Sequence, residues 1–80
     1  MEVEVRIFAG LNKYVPGTEN GEPFSVVLPE GATGGDLIKQ LQIPEAEAFV
    51  FLVNGRREEF AKPLQNEDRV GIFPPVGGGA

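Results

Sequence analysis

The sequence of 80 residues contains neither cysteine nor histidine. Disulfide frameworks and cysteine metal clusters require the first residue, and imidazole acid–base catalysis requires the second. Ser–His and Cys–His nucleophile pairs are excluded in this chain for the same reason. Because a chain of this length buries only about 60% of the surface that its unfolded form exposes, its stability must come from packed aliphatic and aromatic side chains.

Positive charge is also scarce, because the chain has seven Lys and Arg against twelve Asp and Glu, a net charge of −5. An acidic domain is repelled by phosphate backbones and by anionic lipid surfaces, so we expect neither a nucleic acid nor a membrane as a partner. A protein partner with a basic face fits this charge better, although an acidic surface can equally serve solubility alone.

Long apolar runs are missing as well. The longest, from Ala48 to Val53, is too short to span a bilayer. The first residues, Met1-Glu2-Val3-Glu4, lack the basic and apolar regions of a signal peptide. We therefore expect a cytoplasmic protein.

Two segments near the start of the chain alternate between apolar and polar residues. Val3, Val5 and Ile7 alternate with charged residues, and the same period of two returns from Phe24 to Leu28. This pattern is typical of strands that bury one face. Pro-Gly and Asn-Gly pairs lie between the two segments, so we predict a hairpin with a turn-rich loop.

A single short helix is predicted in the middle of the chain. Thr33 and Asp36 have the spacing of a capping box, and apolar residues then recur on one helical face as far as Leu41. Pro44 disfavours helical geometry at the residue before it, so the helix should end near Leu41 or Gln42. Glycines at 34 and 35 weaken the first turn by roughly 1 kcal/mol each, and the helix must therefore be held by packing on a sheet.

Three further strands follow the helix. The apolar run from Ala48 to Val53 predicts a strand covered on both faces for part of its length. Asn54-Gly55 predicts a type I′ hairpin turn, because both central residues of that turn need φ > 0. The short return strand is expected from Arg56 to Phe60, and Val70 and Ile72 begin the last strand.

Together these elements predict an α+β roll in which one helix covers one face of a sheet. The pattern leaves the strand order open. Phe49, Phe51 and Phe60 are predicted core residues, since large apolar side chains are usually buried. Phe8 and Phe73 point off the main apolar face, which allows either burial under a loop or an apolar docking patch.

The composition changes abruptly after Ile72. Pro74 and Pro75 cannot donate to a sheet ladder, so the sheet should end near Phe73, and the prolines favour an extended stem. The three glycines that follow have no side chain and can thread a narrow tunnel, although a bare terminus can equally be frayed and without function. We divide the chain into a folded domain, residues 1–73, and a flexible tail, residues 74–80.

Four segments, spread along essentially the whole chain, carry a family resemblance. They are Val-Arg-Ile-Phe-Ala-Gly-Leu (5–11), Leu-Pro-Glu-Gly-Ala-Thr-Gly-Gly-Asp-Leu-Ile (28–38), Val-Asn-Gly-Arg (53–56) and Asp-Arg-Val-Gly-Ile-Phe-Pro-Pro-Val-Gly-Gly-Gly (68–79). In this order they resemble the MoaD/ThiS family of ubiquitin-like sulfur carriers. The length and the Pro-Pro-Val stem are more similar to the carriers of molybdopterin synthase than to those of the thiamine pathway.

The resemblance implies a β-grasp fold, with a mixed sheet of four to five strands, and a carrier that is not catalytic alone. An E1-like adenylating enzyme would use ATP to activate the terminal glycine carboxylate. A sulfur donor, either a sulfurtransferase or a persulfide, would replace AMP to leave a thiocarboxylate. The larger molybdopterin synthase subunit would receive the tail and pass the sulfur to a precursor pterin in molybdenum or tungsten cofactor synthesis. No metal or cofactor is expected on this chain.

By the family pattern, Gly79 carries the acyl-adenylate and then the thiocarboxylate, with Gly78 before it. Ala80 departs from that pattern; it is either a one-residue extension that a peptidase removes, a residue added by cloning, or the true end. The residues expected to thread into the partner's active site are Pro74, Pro75, Val76 and Gly77. The residues expected to dock the partner are Phe8 and Phe73.

Other functions stay open beside the molybdopterin synthase carrier. A ubiquitin-like modifier would use the same activated glycine to form isopeptide bonds with lysines, a thiamine-pathway carrier would deliver its sulfur elsewhere, and a β-grasp interaction module would have an inert tail. Deletion of Gly78 and Gly79 would abolish conjugates of a modifier. Deletion from Gly77 onward would change nothing except the length of an interaction module.

Overall fold

The computed structural model describes residues 1–75, which form one mixed sheet and one α-helix. The strands are β1 (Glu2–Ile7), β2 (Phe24–Val27), β3 (Val50–Val53), β4 (Arg56–Arg57) and β5 (Arg69–Phe73). Helix α1 spans Gly34–Leu41, and short 3₁₀ helices occupy Leu11–Tyr14 and Glu45–Glu47. Within residues 1–75, no helix is both long enough and apolar enough to cross a bilayer.

The strand order across the sheet is β2-β1-β5-β3-β4. Strands β1 and β2 form the predicted antiparallel hairpin, β1 and β5 run parallel at the centre, and β3 pairs antiparallel with both β5 and β4. The first and last strands of the chain are therefore neighbours. This is a β-grasp fold, and the five-stranded mixed sheet with one α-helix confirms the predicted fold class.

The core lies between α1 and the inner face of the sheet. The register pairs Val5 with Val70 and Ile7 with Ile72, and all four residues are buried. Leu37 of the helix is fully buried in the same cluster. Burying one such side chain contributes about 1.5–3 kcal/mol, so this layer is the main source of stability for a chain without disulfides.

Helix α1 begins at the predicted capping box. The Asp36 N–H donates to Thr33 Oγ1 at 3.2 Å, and the Thr33 N–H donates to Asp36 Oδ2 at 2.9 Å. The helix ends at Leu41, because Gln42 adopts a left-handed conformation with φ of 62°. Both predicted helix ends are confirmed.

The return strand after the Asn54-Gly55 turn is shorter than predicted. Both turn residues have positive φ as expected, but β4 holds only Arg56 and Arg57. The chain then crosses toward the helix, where the Phe60 carbonyl accepts a hydrogen bond from the Gly35 N–H at 2.9 Å. The Phe60 ring lies 4.9 Å from the Phe51 ring. These two contacts hold Phe60 over the core and not in a strand.

The prediction of Phe49 as a core residue is wrong. Strand β3 begins at Val50 and not at Ala48, and Val50 pairs with Phe73, the last residue of β5. Phe49 therefore lies beyond the last paired row of the sheet, and it is 59% exposed. Phe51, two residues later, is buried as predicted.

Candidate functional site

The side of the sheet that faces away from α1, here called the outer face, carries the residues that alternate with the core positions. The strand register aligns Arg6, Gly71, Leu52 and Arg57 in one row across this face. Leu52 is only half-buried. Strand β3 is therefore covered on one face, and not on both as predicted.

Phe8 and Phe73 stack on each other at one end of the outer face. Their ring centroids are 4.4 Å apart and their planes differ by 4°. The Phe8 N–H donates to the Ile72 carbonyl at 3.1 Å, because β1 and β5 are parallel neighbours and end side by side. Both rings are half-buried. The structure thus brings together the two residues expected to dock a partner, and that role stays a prediction.

A shallow hollow lies beside this stack, over Gly71. A Cβ at Gly71 would meet Phe73 Cε1 at 3.6 Å and Phe8 Cε2 at 3.8 Å, so the missing side chain leaves the floor of the hollow open. The hollow has a volume of about 490 Å³, and its border includes Phe8, Phe73, Leu52, Arg6 and Arg69. Sequence analysis missed Gly71, although glycine inside a strand can indicate close approach of another backbone or a ligand.

The charged residues at the border of the hollow are Arg6, Arg69 and Glu4. Arg6 Nε lies 3.7 Å from Glu4 Oε2. Arg57 and Arg69 are exposed, and within residues 1–75 neither has a carboxylate oxygen closer than 4.0 Å. The described part of the outer face therefore combines an apolar centre with arginines that are free to pair with another molecule.

The predicted tail begins at the same end of the outer face as the aromatic stack. Strand β5 runs to Phe73, which confirms the predicted end of the sheet, and leads into Pro74, which is half-buried, and Pro75, which is exposed. The division into a folded domain and a tail stays a prediction. The other residues assigned to the tail lie outside the described residues: Val76, Gly77, Gly78, Gly79 and Ala80.

Within residues 1–75, one carboxyl group has a clearly perturbed pKa, and it lies away from the outer face. The pKa of Asp36, at the start of α1, is lowered mainly because the carboxylate accepts the Thr33 N–H; the Thr33 hydroxyl and the charge of Lys39 act in the same direction. Among the described residues, no three His, Cys, Asp or Glu side chains are grouped so that they could hold a metal ion. The outer face offers apolar contact and positive charge.

Comparison with known proteins gives the family. The model of the ThiS family matches residues 5–79, which is nearly the whole sequence and includes the glycines of the tail. The chain belongs to the ThiS family. The resemblance to MoaD/ThiS carriers is thereby confirmed.

Several solved structures share the fold of this ThiS-family chain. A Pyrococcus furiosus protein assigned as molybdopterin converting factor subunit 1 is 30% identical, with a TM-score of 0.72 over 95% of this chain and 99% of that one. A chain in the complex of subunits 1 and 2 of the molybdopterin-converting factor from Helicobacter pylori is 25% identical, with a TM-score of 0.61 over 99% and 100%.

Small archaeal modifier protein 1 from Haloferax volcanii has the same fold at lower sequence similarity. Its TM-score is 0.73 over 94% of this chain and 98% of that one, with 20% identity. None of the curated protein sequences compared is significantly similar to this chain.

Proposed function

We propose that this protein is a cytoplasmic sulfur carrier, the small subunit of a molybdopterin synthase. The observation that carries the proposal is the path of β5, a central strand that runs past the Phe8–Phe73 stack and directly into Pro74 and Pro75. A protein that covers the outer face therefore lies beside the point where the chain leaves the sheet. The family match through residue 79 and the similarity to one chain of the Helicobacter pylori complex support the proposal.

A peptidase first removes Ala80 by hydrolysis, and the chemistry then takes place on the freed carboxylate of Gly79. A carboxylate is a poor electrophile because its oxygen is a poor leaving group. The E1-like enzyme transfers AMP from ATP to this carboxylate, which releases pyrophosphate and leaves an acyl-adenylate. The outer sulfur of a persulfide on the donor then displaces AMP and forms an acyl disulfide. A thiol of the donor cleaves that disulfide, so that the thiocarboxylate stays on Gly79 and the donor is left as a disulfide.

The tail residues deliver this group into two enclosed active sites. Pro74 and Pro75 form a stiff stem of about 3.1 Å per residue, which extends Val76 and Gly77 into the partner. Glycine suits the end of the tail, because a Cβ near the last carbonyl would obstruct a narrow tunnel. The larger synthase subunit receives the tail and passes its sulfur to a precursor pterin.

The proposal is tested with two purified versions of the chain, one ending at Gly79 and one ending at Gly77. Both keep residues 1–75, so both should fold alike. Each is incubated with the cognate E1-like enzyme, ATP and a persulfide-loaded sulfurtransferase. Intact-mass spectrometry should show the exchange of one terminal oxygen for sulfur in the longer version only. A Gly79-ending chain that is never adenylated would contradict the proposal.

The same reconstituted reaction distinguishes molybdopterin synthesis from other sulfur pathways and from protein modification. When the larger synthase subunit and precursor pterin are added, the thiocarboxylated chain should produce molybdopterin and return to the carboxylate. A chain that gains sulfur but never transfers it to the pterin belongs to another sulfur pathway. Lysine conjugates that disappear in the Gly77-ending version would instead identify a protein modifier.

A further inference from the structure

The arginines of this acidic chain are concentrated in the sheet. The chain has four, Arg6, Arg56, Arg57 and Arg69, and all of them lie in strands. Arg56 pairs with Val53, whose side chain is buried on the inner side, so Arg56 belongs to that side of the sheet. The other three lie on the outer face. The strand residues of this face thus hold three arginines against two glutamates, Glu2 and Glu4, on a chain whose net charge is −5.

Two of the outer arginines, Arg6 and Arg69, border the hollow over Gly71 together with Glu4, and Arg57 lies one strand beyond Leu52. Along β5, Arg69 precedes Gly71 by two residues and Phe73 follows it by two. Across the sheet, Arg6 is the neighbour of Gly71 on one side, and Leu52 and then Arg57 follow on the other. Neighbouring strands are about 4.8 Å apart and two residues span about 6.6 Å along a strand. The Cα atoms of all three arginines thus lie within roughly 10 Å of Gly71.

The surroundings of these arginines are those of an interface. Exposed arginines are usually solvated, but here Arg6 and Arg69 border an apolar hollow beside a pair of stacked phenylalanine rings. Arginine and aromatic residues are the types enriched where protein partners meet, and they dominate binding energy there. Within residues 1–75, no carboxylate oxygen lies within 4.0 Å of the charged groups of Arg57 and Arg69, although Glu4 is the β1 neighbour of Arg69 in the register. Both guanidinium groups are therefore available to an incoming surface.

We propose that the larger synthase subunit covers the outer face with an acidic surface, in which an apolar side chain sits over Gly71 and carboxylates pair with Arg57 and Arg69. This partner chemistry is the opposite of the basic surface that the net charge suggests. Guanidinium groups pair with carboxylates through two parallel hydrogen bonds. Because the rest of the chain is acidic, such a partner is attracted only at the outer face, which orients the tail toward its active site. The inference rests on the proposed function.

Two adjacent residues provide a matched test. Arg56 and Arg57 are neighbours in β4, both are exposed, and they lie on opposite sides of the sheet. The affinity of the full-length chain for the larger subunit from the same organism is measured by calorimetry for the wild type, Arg57→Glu and Arg56→Glu. Arg57→Glu should weaken binding about tenfold, while Arg56→Glu should change it less than about twofold. Arg69→Glu should act like Arg57→Glu.

The results of these binding measurements distinguish failure of the inference from failure of the proposed function. Equal weakening by Arg57→Glu and Arg56→Glu would show that only net charge matters, which would overturn the inference and leave the proposed function standing. Tighter binding of Arg57→Glu would reveal a basic partner surface and overturn it as well. Absence of binding by the wild type would contradict the proposed function itself. Circular dichroism of each variant shows that the fold is kept, and Arg69→Glu still tests the inference if Arg57→Glu does not fold.

Discussion

Gly34 and Gly35 lie side by side in the first turn of α1 but have different surroundings. A Cβ on Gly34 would stand 2.5 Å from Phe51 Cζ, and Phe51 is itself buried against Phe60. A Cβ on Gly35 would meet only ordinary contacts, with Thr33 Oγ1 at 3.6 Å as the nearest atom. Helix propensity treats the two glycines alike, whereas the close approach of helix and sheet requires glycine at the first position only.

The two alanine substitutions should therefore change stability in opposite directions. Gly34→Ala should lower the free energy of unfolding by about 1–3 kcal/mol, because the buried Phe51 ring would have to shift within the core. Gly35→Ala should raise it by up to about 1 kcal/mol through helix propensity and a less flexible unfolded chain. Urea denaturation followed by circular dichroism measures both. Equal effects of the same sign would contradict the close approach.

The capping carboxylate of Asp36 makes stability depend on pH. The fold lowers the pKa of Asp36, chiefly through the hydrogen bond from the Thr33 N–H, so the ionised form is stabilised in the folded state. This contribution is fully present above the pKa of the unfolded aspartate and is lost as the pH falls through the folded-state pKa. Asp36→Asn cannot ionise. Its urea midpoint should therefore fall less steeply than that of the wild type on acidification, and parallel curves would contradict the assigned role.

At the scale of elements, the turn between β3 and β4 also ties β3 to the start of β5. Asn54 Oδ1 accepts the Arg69 N–H at 2.9 Å, and Asn54 Nδ2 donates to Asp68 Oδ1 at 2.9 Å. The Asn54 N–H donates to the Arg69 carbonyl at 2.7 Å. The Asn-Gly pair predicted the turn. The hydrogen bonds from the Asn54 side chain to Asp68 and Arg69 join residues 14 and 15 positions apart. No local sequence pattern indicates them, and they were not predicted.

Two substitutions at Asn54 separate its role in the turn from its side-chain hydrogen bonds to Asp68 and Arg69. Asn54→Gly keeps the positive φ but removes both side-chain hydrogen bonds, and it should lower the free energy of unfolding by about 1 kcal/mol. Asn54→Ala removes the same hydrogen bonds and also replaces asparagine, which tolerates the left-handed region, with alanine, which tolerates it poorly, so it should cost about 2 kcal/mol or more. Thermal and urea unfolding give both values. If the glycine variant is as stable as the wild type, the two side-chain hydrogen bonds of Asn54 contribute nothing to the free energy of unfolding.

Elements with strong local signals could be predicted, and those that depend on distant packing could not. The alternation around Val5, the Thr33–Asp36 capping box and the Asn54-Gly55 turn each depend on a few neighbouring residues, and each is present. Phe49 was assigned to the core because it belongs to an apolar run. Its exposure follows from where β5 ends, at Phe73, and that boundary lies more than twenty positions away in the sequence.

At the scale of the whole molecule, the two sides of the sheet have different tasks. The inner side packs on α1 and supplies stability, while the outer face offers the Phe8–Phe73 stack, the hollow over Gly71 and the arginines. Alternation predicted that both rings point off the core. It could not predict that they stack, or that Arg6, Arg57 and Arg69 surround one glycine, because these placements depend on the strand order β2-β1-β5-β3-β4. Period-two patterns do not determine strand order.

The sulfur-carrying role of Gly79 is tested most directly by the intact mass of the protein purified from its native cells. Fragmentation of the C-terminal peptide then locates any modification. We predict loss of Ala80 and exchange of one terminal oxygen for sulfur on Gly79. A native chain that keeps Ala80, never gains sulfur and is not adenylated by its cognate activating enzyme would contradict this role.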